Sequence, residues 1–416
     1  MSGFKTPPLD DFQAYANLVA KQGDHLGRLV QWSGKECAKT DGLSDGPLLA
    51  PLAGVVTDAS NYFNGKLSQC QRGMGVIGGK IQRTSDDYRT VDTQAAQDLQ
   101  SIYPTPYSGF PDISSLPGGS YIGDFTDKDV ADDIKNEPAA EEGDGPTHLS
   151  LVSIILKARE YKNHRDVLIA DTVFTFINGS SIEDLLFKPL AGDWGQLHYL
   201  RGAYDSLGDG CYTVAGTLRK GSWKLGSEWQ GQAATAFDSY LFQWTMGMGG
   251  IGDAAKVVAK AYQDAQKTIA ALAHMALNGI DSLIRGAIKK LATKAAATGE
   301  GDAVIEGVGL GPEDPVADVI AAGFTGFMAY QLYDLVSEVA SDIENISKYY
   351  DQMKDALKTL QGDVHKVIDE LTGPTDISGM VGSLIDQEEQ RGFDFEKNGG
   401  WSPAAGASRI AMLPAA

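Results

Sequence analysis

Cysteine is scarce in this chain: three residues of 416, at Cys37, Cys70 and Cys211. No two form a C-x-x-C pair, which excludes a disulfide framework and a thiolate zinc or redox site. Positive charge is also short. Lys and Arg number 35 against 55 Asp and Glu, for a formal net charge of −20. Such a surface repels nucleic acid and anionic membranes. Long apolar runs are missing too. The nearest candidate, residues 316–332, carries Asp318 and Gln331 and is broken by glycines. It reads as a buried helix, so membrane contact is not favoured. The first residues lack the apolar core and cleavage site of a signal peptide.

The furniture of catalysis is equally thin. His25, His148, His164, His198, His274 and His365 fall into no H-x-x-x-H or H-E-x-x-H arrangement, so metal ligation has no support. Neither G-x-S-x-G nor a P-loop lysine motif occurs. The string GMGGIG (247–252) follows no strand, and it reads as a kink or a close helix contact. The carboxylate pairs Asp86-Asp87 and Glu141-Glu142 sit in polar surroundings that would not raise a pKa for acid–base work. The expectation is a protein without cofactor, metal or catalytic residues.

What the chain has is helical periodicity; strand-like alternation is rare. From Pro8 to Glu36 an apolar face recurs at Phe12, Tyr15, Val19, Leu26 and Leu29. TDGLSDGP (40–47) is a turn by composition. From Leu48 onward a second face follows, through Leu49, Leu52, Val56, Ala59, Phe63, Cys70, Met74, Ile77, Ile81 and Tyr88. Two amphipathic helices joined by a short polar stretch make an antiparallel hairpin, and residues 1–100 are assigned to it. In a straight hairpin Cys37 and Cys70 are roughly 30 Å apart. A disulfide needs about 7 Å, so buried thiols are expected.

Residues 101–147 are rich in Pro and Gly and then strongly acidic, and they read as a linker of low packing capacity. A second helical module spans 148–298. One stripe in it is Leu197, Tyr204, Leu207, Cys211, Val214, Leu218 and Leu225; beyond the glycine-rich interruption at 246–252, Val258 to Ala276 continue the pattern. Residues 299–373 are a loop and a long helix. Its seam runs Val339, Ile343, Ile346, Tyr350, Met353, Leu357, Leu360, Val364, Val367 and Leu371, in steps of three and four. This is coiled-coil-like spacing, ended by Gly373 and Pro374. That helix is expected to pack along the second module, because a bare seam must be covered within the chain or between copies. The tail, 374–416, has the composition of unpacked chain. The fold class is all-α: elongated helical hairpins and bundles with a long C-terminal helix.

Within the second module stands GSEWQGQAATAF (226–237). Trp229 and Gly231 sit between two helical runs, with Phe237 opening the next apolar face. Helix, Trp-x-Gly turn, helix resembles the WXG superfamily of type VII secretion substrates, over about residues 185–295. The first hairpin lacks the Trp-x-Gly but ends on Tyr88-Arg89-Thr90-Val91-Asp92, a Tyr-x-x-x-Asp. In that family this pattern is the export signal read by the secretion machinery. On a helix, Tyr88 and Asp92 share one face. In the second module Tyr262 is followed by Gln266, so the pattern is not repeated.

The resemblance implies a non-enzymatic, toxin-free helical protein of actinobacterial type, since the tail is too short for a catalytic core. It would be secreted or held at the envelope without a cleaved leader. Its expected partners are the type VII machinery and either a small WXG-family protein or a second copy. Other classes compatible with the residues are a membrane-active helical protein and a cytoplasmic scaffold or injection-particle component.

Overall fold

The structure is a computed structural model. It describes residues 7–87, 124–134, 185–186, 188–190, 192–229, 232–298 and 326–372. Among these residues there are five long helices and no strand: α1 (Leu9–Lys35), α2 (Leu52–Asp87), α3 (Gly195–Glu228), α4 (Gln232–Thr298) and α5 (Gly326–Thr372). The protein is all-α. Sequence readings of 148–184, 299–325 and 374–416 fall outside the described residues.

Helix α1 follows Pro8 and carries Asp10 and Asp11 in its first turn and Lys35 in its last. Both placements complement the helix dipole. Its predicted stripe is buried throughout: Phe12, Tyr15, Val19, Leu26 and Leu29 are at most 1% exposed. Helix α2 buries Val56, Phe63, Cys70, Met74, Ile77 and Ile81 in the same way. The two lie antiparallel. Ser60 Oγ donates to the Ser33 carbonyl at 2.8 Å, and Asn64 Nδ2 donates to the Val30 carbonyl at 2.9 Å. Cys37, Cys70 and Cys211 are all buried, and none is in a disulfide.

The glycine-rich stretch 246–252 does not interrupt the second hairpin. Helix α4 runs through it without a break, for roughly 100 Å at the usual helical rise. Each interior glycine weakens a helix by about 1 kcal/mol against Ala. Contact between helices offsets that cost here. A Cβ placed on Gly208 of α3 would lie 2.9 Å from the Gly252 carbonyl oxygen of α4. The missing side chains therefore let two backbones touch.

Helices α1 and α3 also pack against each other, and α5 packs on α4 and α2. The α5 seam from Ile346 to Val367 is buried, including Tyr350, Met353, Leu357, Leu360 and Val364. One apolar core runs through both hairpins and α5. The start of α3 is locked to the first joint. Gly42 has φ of 70° and Gly192 has φ of 108°, both in the left-handed region that favours glycine. The Asp193 N–H donates to the Gly42 carbonyl at 3.0 Å, and Asp193 Oδ1 accepts the Gly195 N–H at 2.9 Å. One aspartate thus joins the two hairpins and takes up one of the unpaired amides that open α3.

Part of the acidic linker is packed chain. Residues 124–134 lie across α1 and α3 with a short 3-10 turn at Val130–Asp132. Val130 is fully buried. Overall composition concealed this because three apolar residues, Phe125, Val130 and Ile134, are enough to anchor an otherwise polar segment.

Candidate functional site

The Trp-x-Gly joint has its Trp in the structure, and Gly231 lies outside the described residues. Trp229 leaves the helical conformation at the end of α3, with φ −110° and ψ 122°. Extended backbone there turns the chain toward α4 and swings the indole inward. The ring is 3% exposed. It meets Phe12 edge-on, with centroids 4.8 Å apart, and Phe237 at 5.4 Å. Phe237 packs edge-on against Tyr15 at 5.7 Å, and Tyr15 lies 6.0 Å from Phe125. Five aromatic rings from α1, the 124–134 segment, the joint and α4 thus make one cluster. Such pairs add about 0.5–1.5 kcal/mol each beyond area burial.

The cluster has polar locks. Tyr15 Oη donates to the Leu218 carbonyl at 2.9 Å. Burial raises the Tyr15 pKa well above the usual phenol range, so the hydroxyl stays protonated and remains a donor. Arg219, buried beside it, pairs with Asp238 of α4 at 2.9 Å. A Cβ on Gly221 would stand 2.6 Å from the Tyr15 ring, so that glycine is the floor on which Tyr15 lies. Sequence patterning found Trp229 and Phe237 because they interrupt or open a helix. It could not couple them to Phe12 and Tyr15, more than 200 positions away.

Tyr88 and Asp92 lie outside the described residues. The structure carries α2 as far as Asp87, the residue before Tyr88.

A second polar array runs along α1 from the aromatic cluster. Asp124 pairs with Lys220 of α3 at 3.1 Å. Gln22 Nε2 donates to Asp127 Oδ1 at 2.7 Å, and the buried His25 meets the same oxygen at 3.1 Å. Arg28 pairs with Asp129 at 2.7 Å and donates to His25 Nδ1. The Thr213 hydroxyl donates to Asp133 at 2.6 Å. Burial pushes the Asp129 carboxyl up, but the Ala131 N–H, Arg28 and His25 outweigh it and hold the pKa below the usual range. Asp124 behaves alike: burial is outweighed by Thr126 and Lys220. For Asp133 burial wins, and its pKa is raised. Sequence reading found His25 in no metal-ligand spacing; of its partners Arg28 is three residues away, and the carboxylates Asp127 and Asp129 are about 100 positions away.

The interior offers little reactive chemistry. Burial raises all three thiols, Cys70 to about 12, so they stay protonated and poorly nucleophilic. Among the described residues no group of three or more His, Cys, Asp or Glu could hold a metal ion. Among the same residues no helix is long and apolar enough to cross a membrane. Fold and site together define an all-α protein of two cross-packed hairpins, with an aromatic lock where α1 meets the α3–α4 joint. No known protein family, curated protein or solved structure matches the chain.

Proposed function

We propose that this chain is a substrate of a type VII secretion system, a non-enzymatic helical protein acting by protein–protein contact at or outside the cell envelope. The observation that supports the reading best is the Trp229 joint. A tryptophan two residues ahead of a glycine ends one long helix, tucks into the core and precedes a second helix laid antiparallel to the first. Buried as it is, Trp229 acts by holding this joint. Presentation to the secretion machinery falls to Tyr88 and Asp92, at the end of the other hairpin. An aromatic ring and a carboxylate four residues apart suit an apolar pocket beside a basic group. A small WXG-family protein or a second copy is the proposed partner.

The test is export itself. The wild-type chain is expected in the culture supernatant of cells carrying the secretion system and inside cells lacking it. Tyr88→Ala should stay in the cell pellet with unchanged helical circular dichroism. Normal export of that variant removes the signal assignment. Release of the wild-type chain only on lysis removes the reading as a whole.

A further inference from the structure

The segment 124–134 is held in an unusual manner. Its own backbone hydrogen bonds are local: the Asp133 and Ile134 amides both donate to the Val130 carbonyl. Toward the helices it offers side chains and one carbonyl, that of Lys128, which accepts from Gln22 Nε2 at 3.2 Å. Phe125 goes to Tyr15, Val130 enters the α1/α3 groove, and four aspartates meet Lys220, Gln22 and His25, Arg28, and Thr213 in order along the groove. In a chain of net charge −20, Lys21, Arg28 and Lys220 form a local basic strip that meets Asp127, Asp129 and Asp124. The strip and the segment are complementary in charge, in spacing and in the position of the aromatic ring. The ion pairs at Asp124 and Asp129 are accessible to water, with side chains 44–48% and 39–49% exposed. They are screened and can exchange.

We propose that the α1/α3 groove is a docking site for this segment in trans as well as in cis, and that a second copy of the chain supplies it. Two copies then exchange residues 124–134 and re-form every contact of the single copy. Such exchange of an identical element is a low-cost route to association. Chain length sets no bar to it. Of the assigned linker, residues 101–123 and 135–147 flank the segment in sequence, 23 and 13 residues that reach at most about 75 Å and about 40 Å if fully extended. The cis arrangement wins in dilute solution because tethering gives it a high effective concentration, and the exchanged form gains as protein concentration approaches that value. The inference is independent of the export reading.

A cross-link at the Asp133–Thr213 contact tests it. The full chain carrying Asp133→Cys and Thr213→Cys is oxidised with copper phenanthroline at protein concentrations from 1 µM to 1 mM and run on non-reducing gels. The native cysteines are buried and do not report. A covalent dimer is expected, its share rising at least tenfold across the series. Arg28→Glu in the same background should lower the monomeric and the dimeric cross-link together, since both arrangements use the Arg28–Asp129 pair. Cross-linked monomer alone at every concentration overturns the proposal. Absence of any cross-link in the folded chain overturns it also, since the segment then does not occupy the groove. A second pair at the other end, Asp124→Cys and Lys220→Cys with a short bis-maleimide, serves if the first loses helical content. The same two outcomes apply to it.

Discussion

Residues 36–51 carry the chain from α1 to α2, whereas α3 ends at Glu228 and α4 begins at Gln232. The long joint holds a left-handed Gly42, a 3-10 turn at Leu43–Asp45, and a backbone contact to Asp193 of the other hairpin. The short joint holds Trp229, packed between Phe12 and Phe237. The helix pairs differ as well. The first hairpin is stitched by side chains, Ser33 with Ser60 and Asn64 with Val30. The second closes backbone to backbone at Gly208 and Gly252, flanked by Lys256 paired to Asp205 and Asp209. A long joint can be pinned by a neighbouring backbone. A short one has few atoms to offer and relies on a single large apolar side chain.

That contrast can be broken most directly at Trp229. Trp229→Ala should cost about 3–5 kcal/mol, read from the urea unfolding midpoint, because it empties a filled aromatic site. Leu43→Ala, in the first joint, should fall near the lower end of about 2–5 kcal/mol. Equal losses would show that the two joints are anchored alike.

Glycine substitutions sharpen the comparison of the helix pairs through opposite signs. Gly208→Ala forces a methyl against the Gly252 backbone, which has no rotamer to move, and should cost about 1–3 kcal/mol. Gly65→Ala in α2 meets open space and should stabilise by about 0.4–1 kcal/mol through helix propensity and a less disordered unfolded chain. Thermal melts of the two variants decide the point. If Gly208→Ala is neutral, the second pair is not closed backbone to backbone.

The smallest effect concerns pH and the contact between the hairpins. Burial pushes Glu36 up, but Lys35, the Tyr199 hydroxyl and Lys39 outweigh it and lower its pKa. Asp124 and Asp129 are lowered too. Groups depressed in the folded state contribute fully above the ordinary carboxylate range of about 4, and the contribution is lost as pH falls through the depressed values. Asp133, raised by burial, runs the other way; its contribution is present below that range and lost as pH rises through its raised value. Three groups outweigh one. The unfolding midpoint should therefore fall between pH 5 and pH 3, and less steeply in Glu36→Gln. An unchanged slope in that variant would remove Glu36 from the acid response.

Much of the fold is legible in the amino-acid order. The α1 stripe, the α2 stripe as far as Ile81, the α3 stripe and the α5 seam from Ile346 to Val367 were all marked by apolar residues three and four apart, and all are buried, while Ile343 is half-buried. The exceptions are instructive. The 246–252 glycines read as a kink or a close helix contact; the contact is what is found, with Gly252 against Gly208, and α4 runs through without the interruption its composition suggests. The linker looks unpackable because composition averages over Phe125, Val130 and Ile134. Of the candidate site, Trp229 and Phe237 could be read from their place between helices. Phe12, Tyr15 and Phe125 could not, since nothing in their own neighbourhoods points to the joint.

By itself the sequence determined which stretches are helical and which face of each is apolar, since both are set within a few turns by side-chain periodicity and backbone preference. Only the tertiary structure decided which face meets which, that an aspartate segment lies in a basic groove on an acidic protein, and that the joint of one hairpin is locked by a helix of the other. Those pairings join positions about 80 to 220 residues apart, and complementarity of shape and charge at such separation leaves no periodic trace along the chain.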